Sequence, residues 1–256
     1  MRDYHVHSNY SDGDFMSRMI AAAEDAALDG VGFADHCNVF ETASARAYRE
    51  RYGFNLDLTY ERRRNAIEFF RGQTDLRIYD AVEMDYEPGH ESAIATFLDE
   101  AAFDYAIGSV HAIDGANVHD TVHFSSYSDS ERRDAVEKYV EKLIALIDSE
   151  LFEVAAHLDL PERNPALRGY LDEDDYHRIA EELSSSPTVP ELNAGRVLDA
   201  YGQFHPCESF VEALLENGVA FTIGSDAHGP DELTGAITEL RSFSDEWDVP
   251  VVEVMG

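Results

Sequence analysis

Side chains able to ligate a metal stand at the end of one short apolar run after another along this chain. The first pair is His5 and His7, in Asp3-Tyr4-His5-Val6-His7, and the last is Asp226 and His228, in Gly224-Ser225-Asp226-Ala227-His228. Between them, His36, Glu83, His111 and His157 close further apolar runs. Residues two apart in an extended strand point to the same side, so His5 and His7 can grip one ion together. A lone strand-end histidine is usually a hydrogen-bonded core residue. Six of them, with carboxylates, spread over the whole chain, require a fold that gathers many strand ends in one place.

The apolar runs predict seven strands, at 3–7, 31–35, 77–83, 105–111, 153–157, 189–193 and 220–225. Helical periodicity fills the intervals. Val136, Tyr139, Val140, Leu143, Ile144 and Ile147 form one stripe, and Met16, Met19, Ile20, Ala23 and Ala27 another, behind an N-cap at Asp14. Further helices are expected near 59–71, 90–101, 172–183, 206–217 and 231–240. Seven βα units favour a parallel α/β barrel with helices outside, whose chemistry sits at the C-terminal ends of the strands. An open doubly wound sheet is the alternative, but its sites gather at one switch point and leave ligands from all along the chain unexplained.

Length fits a single domain over 1–256, with no linker, repeat or low-complexity tract. No apolar stretch reaches the ~20 residues that span a bilayer, and no basic, apolar leader precedes the first strand. Two cysteines, Cys37 and Cys207, are too few for a disulfide framework, so a cytoplasmic protein is expected. The net charge is -33, and Lys138 and Lys142 are the only lysines. Such a surface repels nucleic acid polymers and anionic membranes, leaving small molecules as partners; the oligomeric state is open. The charge lies far beyond the ~2–8 usual for small soluble domains, and with the lysine scarcity it resembles haloarchaeal proteins.

The ligand residues divide into three sets: His5, His7, Glu83 and Asp226; Glu83, His111 and His157; and Asp12, His36 and His228. Imidazole with carboxylate suits zinc, manganese or iron, and the lack of thiolates argues against a structural zinc knot. Cys37 is expected to be a buried small hydrophobe. Of the other histidines, His177 lies on a charged helix and should face solvent, while His90 either caps a helix start or faces substrate.

The ordered motifs His5-Val6-His7, Ser11-Asp12-Gly13, Asp35-His36, Glu83, His111, His157 and Gly224-Ser225-Asp226-Ala227-His228 resemble the polymerase and histidinol phosphatase (PHP) family of metal-dependent phosphoesterases. The resemblance spans the chain. It implies a distorted (β/α)7 barrel holding two or three divalent metals in the sets just named. Asp85-Tyr86-Glu87-Pro88-Gly89, Ile107-Gly108-Ser109-Val110-His111 and His157-Leu158-Asp159-Leu160-Pro161 look like its histidinol-phosphatase branch, which implies hydrolysis of L-histidinol phosphate in histidine biosynthesis. Glu191 to Arg196 resembles a segment whose arginine touches substrate phosphate, although the segment is shorter here. Arg163 would occupy a second basic position of the family, with Arg168 as its substitute. In this reading Glu83 bridges two ions, Asp226 completes the first, and Asp159 and His205 are alternative proton donors to the leaving group.

Phosphate monoester hydrolysis needs hydroxide at neutral pH and positive charge around the phosphoryl oxygens, and metals supply both. A barrel amidohydrolase also begins with His-x-His, but its bridging carbamylated lysine has no counterpart, since both lysines lie on one amphipathic helix. A non-enzymatic PHP-like module would have lost ligands, and all nine expected positions are present. A PHP phosphoesterase acting on nucleotides or other small phosphates is the remaining alternative.

If the carboxylate coat is a high-salt adaptation, molar KCl should raise the Tm steeply over dilute buffer. At ~1 M salt the screening length falls to ~3 Å and mutual repulsion of the carboxylates fades. Thermal melts across a KCl series test this; a Tm indifferent to salt would remove the halophilic reading.

Overall fold

The computed structural model describes residues 1–254. In chain order its strands are β1 (Arg2–Val6), β2 (Gly30–Cys37), β3 (Arg77–Asp85), β4 (Tyr105–Ser109), the short pair β5 (Ala112–Ile113) and β6 (Ala116–Asn117), then β7 (Val154–Ala155), β8 (Val189–Asn193) and β9 (Thr222–Gly224). Seven form one sheet in the order β1-β2-β3-β4-β7-β8-β9, and every pairing in it is parallel. The two edges meet: Val6 bridges Ala227, the His7 amide donates to the Ala227 carbonyl (3.0 Å), and the Asp226 amide donates to the His5 carbonyl (2.8 Å). Strand order follows the chain around a ring, so the architecture is the seven-stranded barrel and not an open sheet.

Helices α1 (Met16–Asp25), α2 (Ala43–Tyr52), α3 (Tyr60–Arg71), α4 (Glu91–Ala101), α5 (Thr121–Ser125), α6 (Asp129–Asp148), α7 (Glu173–Ser185), α8 (Glu208–Glu216) and α9 (Pro230–Trp247) fill the intervals. No described helix is long and apolar enough to cross a membrane. On α6 the buried stripe is Val136, Tyr139, Val140, Leu143 and Ile147 as the periodicity predicts, with Leu146 replacing the half-buried Ile144. Asp14 does not cap α1. It accepts from the Phe15 amide, while Asn9 takes the Met16 amide at 3.0 Å. Ala27 lies beyond that helix, exposed and at φ 50°, and Leu28 is the buried residue there.

Three strands are shorter than their apolar runs; β4 ends at Ser109, two residues before His111. The segment after β7 leaves extended geometry at His157 (φ 27°), whose carbonyl accepts from the Leu160 amide. At β9, Phe221 bridges Val251 instead of extending the barrel ladder. Helix α2 and the β5–β6 pair were not legible in the apolar pattern, because none of the α2 residues is buried and the hairpin strands are two residues each.

The register of β1 slips between Asp3 and Val6. Tyr4 and His5 together face the single step at Gly32, so both turn into the barrel, as expected of a bulge. Tyr4 joins Ala34, Ala81, Tyr105 and Ile107 in an apolar plug, and Tyr105 donates to the Tyr4 carbonyl (2.5 Å). Gly32 is required here, since a Cβ would lie 1.7 Å from the Tyr105 hydroxyl. The plug fills one end of the barrel and His5 starts the polar layer above it.

A buried cation fixes the loop after β1. Arg63 of α3 donates to Asp35 (2.9 Å), Asp80 (2.6 Å) and the Ala81 carbonyl. Asp35 in turn accepts from the Ser8 amide (2.7 Å), the Ser8 hydroxyl (2.8 Å) and the Ser11 hydroxyl (2.7 Å). Burial would raise the Asp35 carboxyl, but Arg63 outweighs it and holds the group below its ordinary value. Breaking a buried pair by removing one partner typically costs ~3–5 kcal/mol. Arg63→Met should therefore lower stability by about that amount in denaturant unfolding followed by circular dichroism; an effect under ~1 kcal/mol would show the pair to be dispensable.

Candidate metal centre

Glu83, inward-facing near the end of β3, is the hub on which the histidines converge. Its Oε2 lies 2.6 Å from His36 Nδ1, 3.5 Å from His5 Nε2 and 3.6 Å from His7 Nε2. Its Oε1 lies 3.1 Å from His157 Nε2 and 3.4 Å from His111 Nε2, and accepts from the Ser109 hydroxyl (2.6 Å). Asp226 Oδ1 approaches His7 Nε2 (3.2 Å) and His5 Nε2 (3.8 Å). Asp12 Oδ1 lies 3.4 Å from His228 Nε2 and 3.7 Å from His36 Nε2.

Potential ligand atoms gather into His5, His7 and Glu83; His36, Glu83 and His111; and His7, Asp12, His36 and His228. The nine positions singled out in the sequence all meet at this one end of the barrel. The division between sets is less sharp than the sequence suggested, since His7, His36 and Glu83 each serve two groups. The β-strand parallelism brings this about: His36 and Glu83 are paired across β2 and β3, so their side chains project together.

Whether these residues fit a cation is decided by atoms left without partners. His5 Nδ1 donates to Glu191 Oε2 at 2.8 Å, so the neutral ring presents its lone pair at Nε2. With no cation beside it, burial opposes charge but Glu191, Glu83 and Asp226 raise the ring well above its ordinary value and draw a proton there instead. That Nε2 is buried without a hydrogen-bond partner, 3.5 Å from Glu83 Oε2, whose one close approach is the ion-pair contact of His36 Nδ1 at 2.6 Å. Two buried acceptors facing each other are costly unless a positive charge lies between them. A divalent cation removes the conflict, and the nitrogen–oxygen donor set suits it.

The protonation pattern makes the same demand. Burial would raise Glu83, but His36, His111 and His5 hold its carboxyl well below the usual range. Burial opposes charge on His111, yet Glu83 and Asp85 raise it to about 10. His228 is raised to about 9 by Asp12 and Asp226 against burial. His7, stacked at 4.2 Å on the His228 ring, is pushed down to about 4 by burial and by its neighbours His228 and His36. The carboxylates thus draw in positive charge wherever it can be had, and His7 is kept neutral with its lone pair available.

Residues that the apolar pattern did not flag hold the ligands in place. Glu191 orients His5 and also accepts from the His157 amide (3.2 Å). Asp85 fixes His111 through Nδ1 at 2.6 Å. A usable signal existed for Glu191, a lone acid inside the strand Val189-Pro190-Glu191-Leu192-Asn193 that must find a partner when buried. Gly224 permits the arrangement, because a Cβ there would come within 2.4 Å of Glu191 Oε2 and 2.9 Å of His5 Cβ. His157 and Asp226 both sit at positive φ, 27° and 53°, strain of the kind that functional sites carry.

The cluster floors a cavity of about 210 Å³ walled by Arg163, Arg196, His119, Tyr48, Tyr52 and Phe54. Arg163 is nearly buried: Nε donates to His205 Nε2 (2.7 Å), and Nη2 to Asn193 (3.2 Å), the Gly195 carbonyl (3.1 Å) and Asp226 Oδ2 (3.1 Å). Arg196 is half exposed, with Asp199 3.6 Å away. Asp159 and His205 do not face the cavity. Both are fully buried, Asp159 bonded to His205 Nδ1 (2.5 Å) and to the Cys207 amide (2.8 Å). His205 Nε2 accepts from an arginine, which leaves it no proton to give a leaving group. His90 stands at the start of α4 without a side-chain cap and packs on Phe40 at 5.0 Å, apart from the ligands. Cys37 is buried and outside the cluster.

The PHP domain family model matches residues 3–186. A Deinococcus radiodurans protein named "Probable histidinol-phosphatase" is 27% identical over 229 residues, covering 86% of this chain and 84% of that protein. The histidinol-phosphatase of Lactococcus lactis is 26% identical over 241 residues, 88% of this chain and 83% of its own length. A crystal structure of a Lactococcus lactis histidinol phosphate phosphatase, complexed with zinc, L-histidinol and phosphate, superposes with a TM-score of 0.76 at 20% identity, over 98% of this chain and 95% of that one.

Because Glu83 stands in two ligand groups and Asp12 in one, Glu83→Gln should lose at least two bound metals after reconstitution and Asp12→Asn at most one. Elemental analysis of the purified variants reads this directly. Equal losses, or full occupancy in Glu83→Gln, would contradict the shared arrangement.

Proposed function

The chain belongs to the PHP domain family, and from that membership we propose that it is a metal-dependent phosphomonoesterase that hydrolyses L-histidinol phosphate to L-histidinol and inorganic phosphate. The observation that carries the chemistry is the buried His5 Nε2, without a hydrogen-bond partner, facing Glu83 Oε2 at 3.5 Å within the ring of imidazoles. The observation that carries the substrate is the naming of both relatives, each matched over more than four-fifths of its length.

Two or three divalent ions, zinc foremost with manganese and iron as the other options, would be held by His5, His7, Asp12, His36, Glu83, His111, His157, Asp226 and His228. When bound, such ions supply a hydroxide nucleophile near neutral pH and neutralise phosphoryl oxygens. The chain's own groups do the rest. Glu83 offers one oxygen to the His5, His7 and His36 side and the other to the His111 and His157 side, so a single rigid carboxylate spaces the ligand groups. Asp226 splits likewise, with Oδ1 toward the imidazoles and Oδ2 toward Arg163. Asp159 and His205 act together as a buried support that holds Arg163 through its Nε.

Among the described residues no hydrogen bond engages Arg163 Nη1, which is therefore available to a phosphate oxygen at the cavity wall. Arg196 lines the same cavity. Paired guanidinium donors match the geometry of a phosphate dianion better than a lysine would. Asp85 and Glu87, the latter also paired with Lys142 at 2.6 Å, line the adjoining recess with Phe40 and Tyr86, a setting for a flat imidazole ring and for the cationic amine on the chain beside it. Nucleoside monophosphates bring a bulkier base and no such amine.

The test is phosphate release from the zinc- or manganese-reconstituted protein with histidinol phosphate, nucleoside monophosphates and an aryl phosphate. Histidinol phosphate should have the highest kcat/KM, Asp226→Asn should abolish turnover, and Arg163→Ala should lower kcat/KM by ~10²-fold or more. A nucleoside monophosphate turned over with the higher kcat/KM would overturn the substrate assignment and leave the phosphoesterase class.

A further inference from the structure

The surface of this chain is acidic almost everywhere, yet three of its arginines converge on one pocket. Arg163, Arg168 and Arg196, with His119 and Tyr201, wall an open recess that shares Arg163, Arg196 and His119 with the cavity above the ligand cluster. In a chain of net charge -33, a local excess of cations beside the site is the reverse of the general pattern. Most arginines elsewhere are spent on carboxylates: Arg2 on Glu253, Arg63 on Asp35 and Asp80, Arg71 on Asp104, Arg133 on Asp175.

Arg168 is held differently. It has no carboxylate ion-pair partner among the described residues. Its Nε donates to the Glu162 carbonyl (2.7 Å), and its guanidinium lies over the Tyr201 ring at 5.0 Å. Tyr201 stacks in turn on His205, 4.8 Å between centroids and 5° between planes, and His205 holds Arg163. The nearest acid, Glu162, turns its carboxylate to the Gly169 amide (3.0 and 3.1 Å). Asp199 is the one carboxylate in the wall, and Arg196 stands 3.6 Å from it and 3.9 Å from Glu232, which leaves Arg168 as the arginine without an acid. Both Arg163 and Arg168 are thus tethered through Nε, one by an imidazole and the other by a carbonyl, with an aromatic platform between them. An aromatic ring orients a guanidinium without neutralising its charge.

We propose that this recess is a second, outer anion site that binds phosphate, with Arg168 as its own donor and Arg196 at the passage it shares with the inner cavity, on the route between solvent and the metal centre. Short-range guanidinium–phosphate contacts persist in high salt, where long-range steering is screened, so the site operates by contact and not by field. Phosphate held there would be the incoming monoester group before it descends, or the released inorganic phosphate before it leaves. Only this direction of traffic rests on the phosphatase reading; the binding does not.

The test is isothermal titration of inorganic phosphate into the zinc-loaded full-length protein, in dilute buffer and in molar KCl. Wild type should show two phosphate sites. Arg168→Glu should weaken the outer one at least ~10-fold and leave the inner one within about twofold, since Arg168 touches none of the ligand residues. Arg168→Gln, milder toward folding, should weaken the outer site ~3-fold or more, with circular dichroism confirming the fold. A single site in wild type, or an outer site unchanged in Arg168→Gln, would overturn the proposal. Because no readout depends on turnover, these outcomes are separate from whether histidinol phosphate is the substrate.

Discussion

One buried carboxylate organises this molecule. Glu83 lies inside a parallel barrel, surrounded by imidazoles from β1, β2 and the segments after β4 and β7, and its two oxygens face different groups of them. A carboxylate in such a place is tolerable only when positive charge meets it. The strands are ordered so that each contributes something to that end: His36 beside Glu83 by register, His5 and His7 from the strand that closes the ring, Asp226 and His228 from the segment that closes it on the other side. The seam that closes the barrel thus also brings the candidate ligand residues together, with the Asp226 amide donating to the His5 carbonyl there.

Around this hub is a layer of oriented supports that are themselves buried and charged. Glu191 sets the His5 tautomer, Asp85 sets His111, and Arg63 with Asp35 anchors the loop that delivers Asp12. Asp159 and His205 hold Arg163 in the same manner. Supports of this kind fix ring orientation and raise ligand basicity. They also account for the unusual number of fully buried charged groups in a chain of this size, which a purely structural core would not need.

Much of this was legible in the chain itself. All seven barrel strands fall where apolar runs alternate with helical periodicity, and the ligands close those runs because barrel chemistry sits at the C-terminal strand ends. What was not legible follows from physics that leaves no local mark. The β1 bulge, which turns Tyr4 and His5 inward together, depends on the missing Cβ of Gly32 on the next strand. Helix α2, which supplies Tyr48 and Tyr52 to the cavity wall, carries no buried stripe and so no hydrophobic period. Asp159 and His205 stand in the sequence as alternative proton donors to the leaving group; only the fold shows them bonded to each other, with His205 holding an arginine.

The central claim is that the buried carboxylate and imidazole groups around Glu83 are cation ligands. Anomalous diffraction at the zinc edge from crystals of the reconstituted protein tests it most directly. The account predicts peaks only at this cluster, with at least one enclosed by His5, His7, Glu83 and Asp226. Zinc found instead at Cys37 or Cys207, or no peak within reach of Glu83, would contradict it.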